Sequence, residues 1–241
     1  MNIIISGYGR MGKAVEQICL ERKHHIIAKI DTRADWDRLE VKPGQQAVVI
    51  DFSLPETAIS NINTCFDKQL PLVMGTTGWY DQLEKVRKTC KQKNGTLLYA
   101  PNFSLGVNIL FHVNALLAKI MAKTGLYQPE ITEIHHIHKL DAPSGTALRL
   151  AEDILNAYPQ LHQWVNHPAT NQNELGVISK RMGEVPGTHH IVYQSDVDEI
   201  SLSHEAKSRK GFALGAVLAA EFIQDKKGIF TMQEMLQAMG I

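Results

Sequence analysis

The sequence has few cysteines, no excess of charge of either sign and no internal repeat. Its three cysteines, Cys19, Cys65 and Cys90, stand far apart in 241 residues. An odd number of widely spaced cysteines does not make a disulfide framework, so we expect buried, reduced thiols in a cytoplasmic protein. Lysine plus arginine equals aspartate plus glutamate, at 25 each. This balance predicts neither a nucleic-acid partner nor a membrane surface as a partner.

Long apolar runs and a leader segment are also missing from the pattern. No uninterrupted apolar run approaches the ~20 residues that a membrane-spanning helix needs. Met1 leads directly into a strand pattern, so no signal peptide is expected. At 241 residues the chain has ample length for one large domain or two small ones.

The first half begins with an apolar strand that runs into a glycine-rich loop. Residues 2–6 form a continuous apolar run, which is typical of a strand buried on both faces of a parallel sheet. A GxGxxG pattern follows at once and opens a helix. Glycines at this junction let the backbone approach a pyrophosphate, which then lies at the helix N-terminus. The loop that we predict to bind a dinucleotide consists of Gly7, Tyr8, Gly9, Arg10, Met11 and Gly12.

A second strand, residues 25–30, ends in Asp31. This acid stands about twenty residues beyond the glycine loop, where an adenosine ribose needs a hydroxyl acceptor. A carboxylate there favours NADH, because it repels the 2′-phosphate of NADPH. If the chain stays extended, Arg33 points the same way as Asp31 and neutralises it in part. We therefore expect use of both NADH and NADPH, with a modest preference for NADH.

Three more strand–helix units follow before residue 103. Alternating units of this kind predict a Rossmann-type doubly wound parallel sheet, whose ligands gather at the carboxyl ends of the strands. The loops at that edge supply further candidate cofactor residues: Ser53, Gly75, Thr76, Thr77, Ala100, Pro101, Asn102 and Phe103.

From Ser104 onward the pattern changes. A long apolar helix to about Lys123 is followed by a strand, a helix, a polar loop over 158–173 and three further strands within 175–206. Four strands with one or two helices predict an α+β domain with an open mixed sheet. A bare sheet face usually meets another subunit. We place the last helices, near 211–224 and 231–238, back on the first domain.

The most unusual stretch is residues 133–146, which holds three histidines and a lysine within five residues. Alternation predicts a strand through His138, with His135 and Ile137 on one face and His136 and His138 on the other. A turn at 142–145 then opens a helix. Titratable groups at a strand end, aimed at a helix N-terminus, predict an anion site with proton-transfer groups.

Two other interpretations of this stretch compete with an anion site. The histidines can be half-buried polar residues of a mixed sheet, but three of them with Lys139 beside a Pro-Ser-Gly turn make that the minority interpretation. A zinc site is disfavoured, since HExxH is absent and no Cys or carboxylate stands at ligand spacing. We therefore predict no metal site.

Together these motifs resemble the 4-hydroxy-tetrahydrodipicolinate reductase (dihydrodipicolinate reductase) family over nearly the whole chain. The residues that carry the resemblance are 9–12, 51–53, 75–78, 102–108, 203–209, 212–216 and, above all, the His-His-x-His-Lys-x-Asp-Ala-Pro-Ser-Gly-Thr block at 135–146. The resemblance implies a homotetramer that reduces a cyclic imine dicarboxylate with NADH or NADPH in lysine and diaminopimelate biosynthesis. It divides the chain into a nucleotide-binding domain, 1–103 with 210–241, and a substrate-binding and tetramerisation domain, 104–209.

The resemblance also assigns roles to residues of the histidine block. It makes His135 a proton donor or acceptor and Lys139 a proton donor. It places the substrate carboxylates on His136, Ser144, Gly145 and Thr146. Two other functions explain residues 1–103 as well: a different small amino-acid dehydrogenase, and an NAD(H)-binding sensor without catalysis. Neither accounts for residues 131–146.

Overall fold

The computed structural model describes residues 1–41 and 46–241. They form two compact units: Met1–Leu105 with Arg209–Ile241, and Gly106–Ser208. The last 33 residues belong to the first unit and include both C-terminal helices.

The strands in chain order are β1 (Asn2–Ser6), β2 (His25–Ile30), β3 (Ala47–Asp51), β4 (Leu72–Met74), β5 (Thr96–Tyr99), β6 (Gln128–His135), β7 (Gln163–Val165), β8 (Glu174–Arg181), β9 (Thr188–Gln194), β10 (Glu199–Glu205) and β11 (Gly228–Phe230). The helices are α1 (Arg10–Glu21), α2 (Arg33–Arg38), α3 (Pro55–Asp67), α4 (Leu83–Gln92), α5 (Leu105–Thr124), α6 (Gly145–Ala157), α7 (Lys210–Ile223) and α8 (Met232–Ala238). A short 3₁₀ turn, Tyr80–Gln82, precedes α4.

The first unit is built on a parallel sheet of strand order β11-β5-β4-β3-β1-β2. Alternate residues of its strands face opposite layers. Ile3 and Ile5 pack in a cluster with residues of α1, α7 and α8. Ile4 packs in a second cluster with residues of α3 and α4. Burial on both faces explains why the strands are continuous apolar runs, and the predicted doubly wound fold is confirmed.

The second unit carries a mixed sheet of order β10-β9-β6-β8-β7. β9 runs antiparallel to β6 and β10, whereas β8 runs parallel to β6 and β7. One face packs against α5 and α6 through buried residues such as Ile131, Val177 and Tyr193. Asn114 of α5 is fully buried and bonded there: its Oδ1 accepts from the Tyr193 hydroxyl at 2.9 Å, and its Nδ2 donates to the Leu150 carbonyl. The predicted second, mixed sheet is confirmed.

The sequence analysis did not predict three short elements, β7, β11 and α2. β7 lies inside the segment predicted as a polar loop, and β11 adds a sixth strand to the first sheet. Each spans only three residues, too few for an alternation pattern to show. α2 was also not predicted; it begins with a capping box in which Thr32 and Asp35 bond each other's backbone N–H groups.

The histidine strand ends earlier than its alternation predicted. β6 stops at His135, because the chain turns: the N–H of Ile137 bonds the carbonyl of Gly183, and that of Lys139 bonds the carbonyl of His136. The prediction that His136 and His138 share the far face of a strand is therefore wrong. They lie in the turn that leads towards α6.

Helix α5 is an exception to the predicted lack of an apolar segment long enough to span a membrane. This 20-residue helix is long and apolar enough to span a membrane by length and composition alone. A core helix passes the same test, and Leu110, Ala118 and Met121 of α5 do pack in the core of the second unit. Length and composition are therefore weak grounds for a membrane segment, and the predicted absence of a membrane partner stays a prediction.

Candidate functional site

In the first unit, the loops predicted to bind a cofactor surround the carboxyl ends of β1 and β3. From β1 the sheet extends to β2 on one side and to β3 and the later strands on the other, so the order in which strands are added reverses at β1. Doubly wound sheets bind ligands at such switch points. The ladder continues just past the strand ends: the N–H of Gly7 bonds Ile30 O, that of Phe52 bonds Ser6 O and that of Gly75 bonds Asp51 O, each at 2.8 Å.

Asp51 organises these loops, although the sequence prediction assigned it no role. Its side chain is fully buried, and its two carboxylate oxygens accept five hydrogen bonds. The donors are Ser6 Oγ (2.6 Å), Asn61 Nδ2 (2.9 Å), Ser53 N (3.0 Å), Ser53 Oγ (2.8 Å) and Thr76 Oγ1 (2.7 Å). One carboxylate thus ties together the ends of β1, β3 and β4. Their hydrogen bonds to Asp51 hold Ser53 and Thr76, two of the predicted cofactor residues, at the carboxyl edge of the sheet.

The glycine loop has no room for side chains at two of its glycines. A Cβ on Gly7, whose φ is +83°, would lie 2.3 Å from the Phe52 carbonyl oxygen, and one on Gly12 would lie 2.3 Å from the Gly7 carbonyl oxygen. Gly9 differs, since nothing lies within 4 Å of its Cβ position. It caps α1 with its backbone only, and the first turn of α1 carries no acidic residue. This open helix N-terminus fits the pyrophosphate of a dinucleotide.

Asp31 stands at the end of β2 beside the same loop. Its Oδ1 accepts from the backbone N–H of Tyr8 at 2.6 Å. Arg33 does not extend alongside it, because Thr32 starts α2. The Arg33 guanidinium instead bonds Thr64 Oγ1 at 3.0 Å and pairs with Asp37 at 3.2 Å. The expectation that Arg33 neutralises Asp31 is therefore wrong.

The other predicted cofactor residues differ in exposure. Tyr8 is half-buried, with its hydroxyl bonded to Glu16 and Lys29. Arg10, Thr77 and Pro101 are exposed, Met11 and Asn102 are half-buried, and Ala100 and Phe103 are buried. Gly75 lies against the Phe52 ring, and that ring contacts Phe103 edge-to-face with centroids 6.0 Å apart.

In the second unit, a row of polar side chains crosses the sheet on the face that bears the helices. Strand register aligns Glu133 of β6 with Ser179 of β8 and with His189 of β9, and His189 with His204 of β10. His135 lies two residues after Glu133 on the same face. Glu133, His135 and His189 are all buried. The structure thus brings His135 together with groups that the sequence prediction did not include.

Glu133 is the central group of this row. Its Oε1 accepts from the Ser144 backbone N–H at 3.0 Å and lies 3.5 Å from the Arg181 guanidinium. Its Oε2 lies 3.4 Å from His135 Nδ1 and 3.8 Å from His189 Nε2. Burial alone raises the pKa of Glu133, but hydrogen bonds, above all from Ser144, and the charge of His135 together lower it below its ordinary value.

Burial has the opposite effect on the histidines of the row. It lowers the pKa of His135, assisted by the positive charges of Lys139 and Arg181 and opposed by Glu133. It also lowers the pKa of His189 to about 4 and lowers that of His204. Perturbed titratable groups collected in one place are a feature of catalytic sites.

Lys139 lies in the turn after β6 and is paired. Its Nζ contacts both carboxylate oxygens of Asp141, at 2.8 and 2.9 Å. Arg181 fastens this turn to the sheet by donating to the carbonyl oxygens of Lys139 and Asp141. The lysine ammonium lowers the pKa of Asp141. The sequence prediction gave Lys139 a role but assigned none to Asp141 or Arg181.

The predicted anion-binding residues surround the start of α6. Ser144 is the N-cap: its hydroxyl accepts from the Ala147 N–H at 3.2 Å and lies 3.3 Å from His189 Nε2. Gly145 is exposed with open space around its Cβ position, while Thr146 is half-buried. His136 is half-buried in the turn, its ring 6.2 Å from that of His138.

A carboxylate does stand at ligand spacing beside His135, so the prediction that none does is wrong. Glu133 is a carboxylate at ligand spacing, and ligand atoms of Glu133, His135 and His189 all lie within 4.8 Å of one another. The alternation rule puts residues 133 and 135 on one face, so this signal was in the sequence. His189 was not predictable, because it comes from a strand 54 residues further along. That the protein has no metal stays a prediction.

Comparison with known proteins decides the family. Residues 1–103 match the family described as dihydrodipicolinate reductase, N-terminus, and residues 106–236 match dihydrodipicolinate reductase, C-terminus. The chain belongs to the dihydrodipicolinate reductase family. The predicted family is confirmed. Enzymes of this family are NAD(P)H-dependent oxidoreductases with an N-terminal nucleotide-binding domain.

Individual relatives agree with this assignment. A 4-hydroxy-tetrahydrodipicolinate reductase from Christiangramia forsetii is 47% identical over 98% of both chains. One from Neisseria meningitidis serogroup B is 35% identical over 83% of this chain and 76% of its own. A solved dihydrodipicolinate reductase from Paenisporosarcina, with dipicolinate bound, has a TM-score of 0.76 at 21% identity, covering 96% of this chain and 97% of its own. That likeness supports the fold.

We predict that Asp51→Asn destabilises the first unit. An amide places N–H groups against at least one of the donors that now bond the carboxylate, which leaves a buried donor unsatisfied. The free energy of unfolding should fall by about 1–3 kcal/mol, and the affinity for NADH should fall with it. Urea unfolding and NADH titration measure the two effects. Asp67→Asn is the matched control on the surface of α3, where Asp67 is exposed and pairs with Lys93; equal losses in both variants would contradict the role of Asp51.

We predict that His189 makes the protein less stable in mild acid. Its folded pKa, about 4, lies below the unfolded value of 6.5, so the unfolded chain binds more protons between these values. Stability is therefore full above pH 6.5 and falls as the pH drops towards 4. Between pH 7 and pH 5, protonation of His189 should lower the free energy of unfolding by about 2 kcal/mol. Urea unfolding at both pH values, at fixed protein concentration, should show a smaller loss in His189→Gln. An equal loss in the variant would contradict this prediction.

Proposed function

We propose that the chain is a 4-hydroxy-tetrahydrodipicolinate reductase, which reduces the cyclic imine dicarboxylate to tetrahydrodipicolinate in lysine and diaminopimelate biosynthesis. The observation that carries the proposal is the turn between β6 and α6. His135, Lys139 and the N-terminus of α6 lie within one unit at this turn. The substrate has two carboxylates and a carbon that must accept a proton, so it needs both anion-binding groups and a proton donor.

The chemistry assigns a task to each group. Loss of the 4-hydroxyl group as water gives an unsaturated imine, to which bound NADH or NADPH would supply a hydride. The product of hydride addition is enamine-like and must take up a proton, for which His135 and Lys139 are the two candidate donors. The N-terminus of α6, with Ser144, Gly145 and Thr146, suits a carboxylate, because helix dipole and first-turn amides both favour an anion. His136 and the Lys139 ammonium add donors for the second carboxylate.

The first unit supplies the proposed nucleotide site. The glycine loop and the open N-terminus of α1 suit the pyrophosphate, and Asp31 suits the ribose hydroxyls. The residues at the carboxyl edge of the sheet that we assign to the cofactor are Ser53, Gly75, Thr76, Thr77, Ala100, Pro101, Asn102 and Phe103. We assign nucleotide binding to residues 1–103 with 210–241, and substrate binding and assembly to residues 104–209.

The assembly and location of the enzyme complete the proposal. On the face of the second sheet that carries no helix, β6 and β9 present Thr132, Ile134, His190 and Val192, all half-buried. This mixed apolar and polar surface suits a second copy of the chain, and we propose a homotetramer as the family resemblance implies. The three free, buried cysteines support a cytoplasmic location, where thiols remain reduced.

A coupled assay tests the function and the two proton donors together. The substrate is supplied in situ by the preceding synthase, and oxidation of NADH is followed by absorbance. We predict turnover by the wild type and a loss of about two to four orders of magnitude in kcat for Lys139→Ala and His135→Ala, with NADH affinity nearly unchanged. Lys123→Ala, at the exposed end of α5, is the control. No turnover by the wild type would refute the reductase, and near-normal turnover in both variants would refute the assigned donors.

The cofactor preference depends on Asp31. With Arg33 held by Asp37 and Thr64, the Asp31 carboxylate remains to accept from the ribose hydroxyls and to repel a 2′-phosphate. We predict that Asp31→Ala lowers kcat/KM for NADH by about 10- to 100-fold, the value of a hydrogen bond to a charged group, without lowering it for NADPH. Both nucleotides are compared at low and physiological salt, with Asp225→Ala as the exposed control. A wild type that prefers NADPH a hundredfold would contradict this role.

A further inference from the structure

The proposed reaction does not by itself explain why Glu133 is buried beneath His135. Glu133 is 0% exposed and lies next to the buried apolar row of Ile131, Val177 and Ile191. Its Oε1 is satisfied by the Ser144 N–H, with Arg181 beside it. Within the described residues, neither Glu133 Oε2 nor His135 Nδ1 has a hydrogen-bond partner, yet the two atoms lie 3.4 Å apart. Two buried, complementary atoms at this separation are in position to share a proton.

The other ring nitrogen of His135 meets a different environment. Gly187 packs beside it, and a Cβ on that residue would lie 3.0 Å from His135 Nε2. The absence of a side chain at 187 leaves the Nε2 edge uncovered there. One edge of the imidazole therefore faces a fixed carboxylate, and the other faces a position kept free of side-chain atoms.

We propose that Glu133 is the positioning residue for His135: it accepts the Nδ1–H of the ring, fixes that tautomer and leaves Nε2 as the atom that exchanges a proton with the substrate. This inference rests on the proposed function. In the proton-donating direction, the N–H bond at Nε2 breaks and a C–H bond forms on the enamine-like product. The imidazolium becomes the neutral ring that still carries its proton on Nδ1.

His189 connects this pair to the anion-binding turn. Its Nε2 lies 3.8 Å from Glu133 Oε2 and 3.3 Å from Ser144 Oγ, and its ring packs edge-to-face on that of His135. Glu133 in turn accepts from the N–H of Ser144, the N-cap of α6. The carboxylate thus links the helix that we assign to substrate binding with the ring that we assign to proton transfer.

The same three residues have the composition of a metal site, but the surrounding charges favour the proton-positioning role. The Arg181 guanidinium lies 3.5 Å from Glu133 Oε1, and Lys139 is close enough to lower the pKa of His135. Two positive charges close to a buried site repel a divalent cation. They instead stabilise a carboxylate, which is what a partner for Nδ1–H requires.

Replacing Glu133 with glutamine should change the pH dependence of catalysis. The groups that surround His135 are Glu133 on β6, Arg181 on β8, His189 on β9, and Lys139 and Asp141 in the turn, while His204 on β10 lies opposite His189. Of these, Glu133 is the chief group that raises the pKa of His135. Without its charge that pKa falls, so the protonated donor is lost at lower pH as the pH rises. The descending limb of kcat against pH should therefore move to lower pH.

The experiment compares wild type, Glu133→Gln and Glu152→Gln, the last on the exposed surface of α6. We expect Glu133→Gln to lower kcat at neutral pH by at least about 10- to 100-fold, the loss seen when the partner that orients a metal-ligating histidine is removed, and to shift the descending limb. The KM and the Kd of pyridine-2,6-dicarboxylate should stay within about threefold of wild type. A uniform loss of kcat at every pH, without a shift, would overturn the proposal.

A measurement on the wild type keeps the test valid if the variant does not fold. Imidazole ¹⁵N chemical shifts, with His135→Gln used to assign the signal, report which ring nitrogen carries the proton. We expect the Nδ1–H tautomer of neutral His135. The Nε2–H tautomer would overturn the proposal, as would loss of activity on chelation that Zn²⁺ alone restores. If Lys139→Ala is inactive while Glu133→Gln behaves as wild type, the reductase function stands and this inference fails.

Discussion

Each unit of this protein depends on one buried carboxylate, and each carboxylate must find donors in the loops around it. An ionised carboxylate without partners is too costly to bury, so its neighbours adopt the conformations that satisfy it. Asp51 collects donors from the ends of β1, β3 and β4. Glu133 collects the first amide of the turn into α6 and the Arg181 guanidinium. The loops that we assign to ligands are thus positioned by charges hidden beneath them.

The two carboxylates differ in how completely they are satisfied. Asp51 accepts five hydrogen bonds, all from serine, threonine, asparagine and backbone groups, none of which titrates near neutral pH. Glu133 gives one oxygen to fixed donors and leaves the other between two imidazoles. A carboxylate of the first kind makes a rigid scaffold. One of the second kind links its surroundings to protonation, because both neighbouring rings are imidazoles that can change charge, with the pKa of His135 lowered and that of His189 lowered to about 4.

Much of the fold was predictable because the way in which an element is buried determines the pattern of its apolar residues. Strands buried on both faces appear as runs such as residues 2–6 and 47–51, and amphipathic helices appear as apolar stripes. β7 and β11 were not predictable, since three residues carry no period. The end of β6 was not predictable either: alternation continues through His138, but hydrogen bonds from a distant segment, at Gly183, turn the chain. Likewise Arg33 follows the capping box of Thr32 and Asp35 rather than the extended path of β2.

For the candidate site, residue type was easier to predict than partnership. The histidine block and the glycine loop are local, so sequence shows them. His189, Arg181 and Asn61 reach their partners only through strand register and packing, and no local pattern marks them. Glu133 lies between these cases. Its place on the same face as His135 follows from the alternation alone, but its importance follows only from β9, which brings a second imidazole to the same oxygen.

The two proposed proton donors are held in opposite ways. Lys139 is 22% exposed, and its ammonium pairs with the Asp141 carboxylate. An ion pair this close to solvent costs little to break. A dicarboxylate that reaches this turn can take the place of Asp141, and the ammonium then follows the anion. His135 is buried, with its ring fixed between Glu133 and Gly187, so it cannot follow the ligand. A mobile cation and a fixed imidazole therefore serve different needs: the first draws the substrate's charge into place, and the second holds one nitrogen at a constant position for the proton.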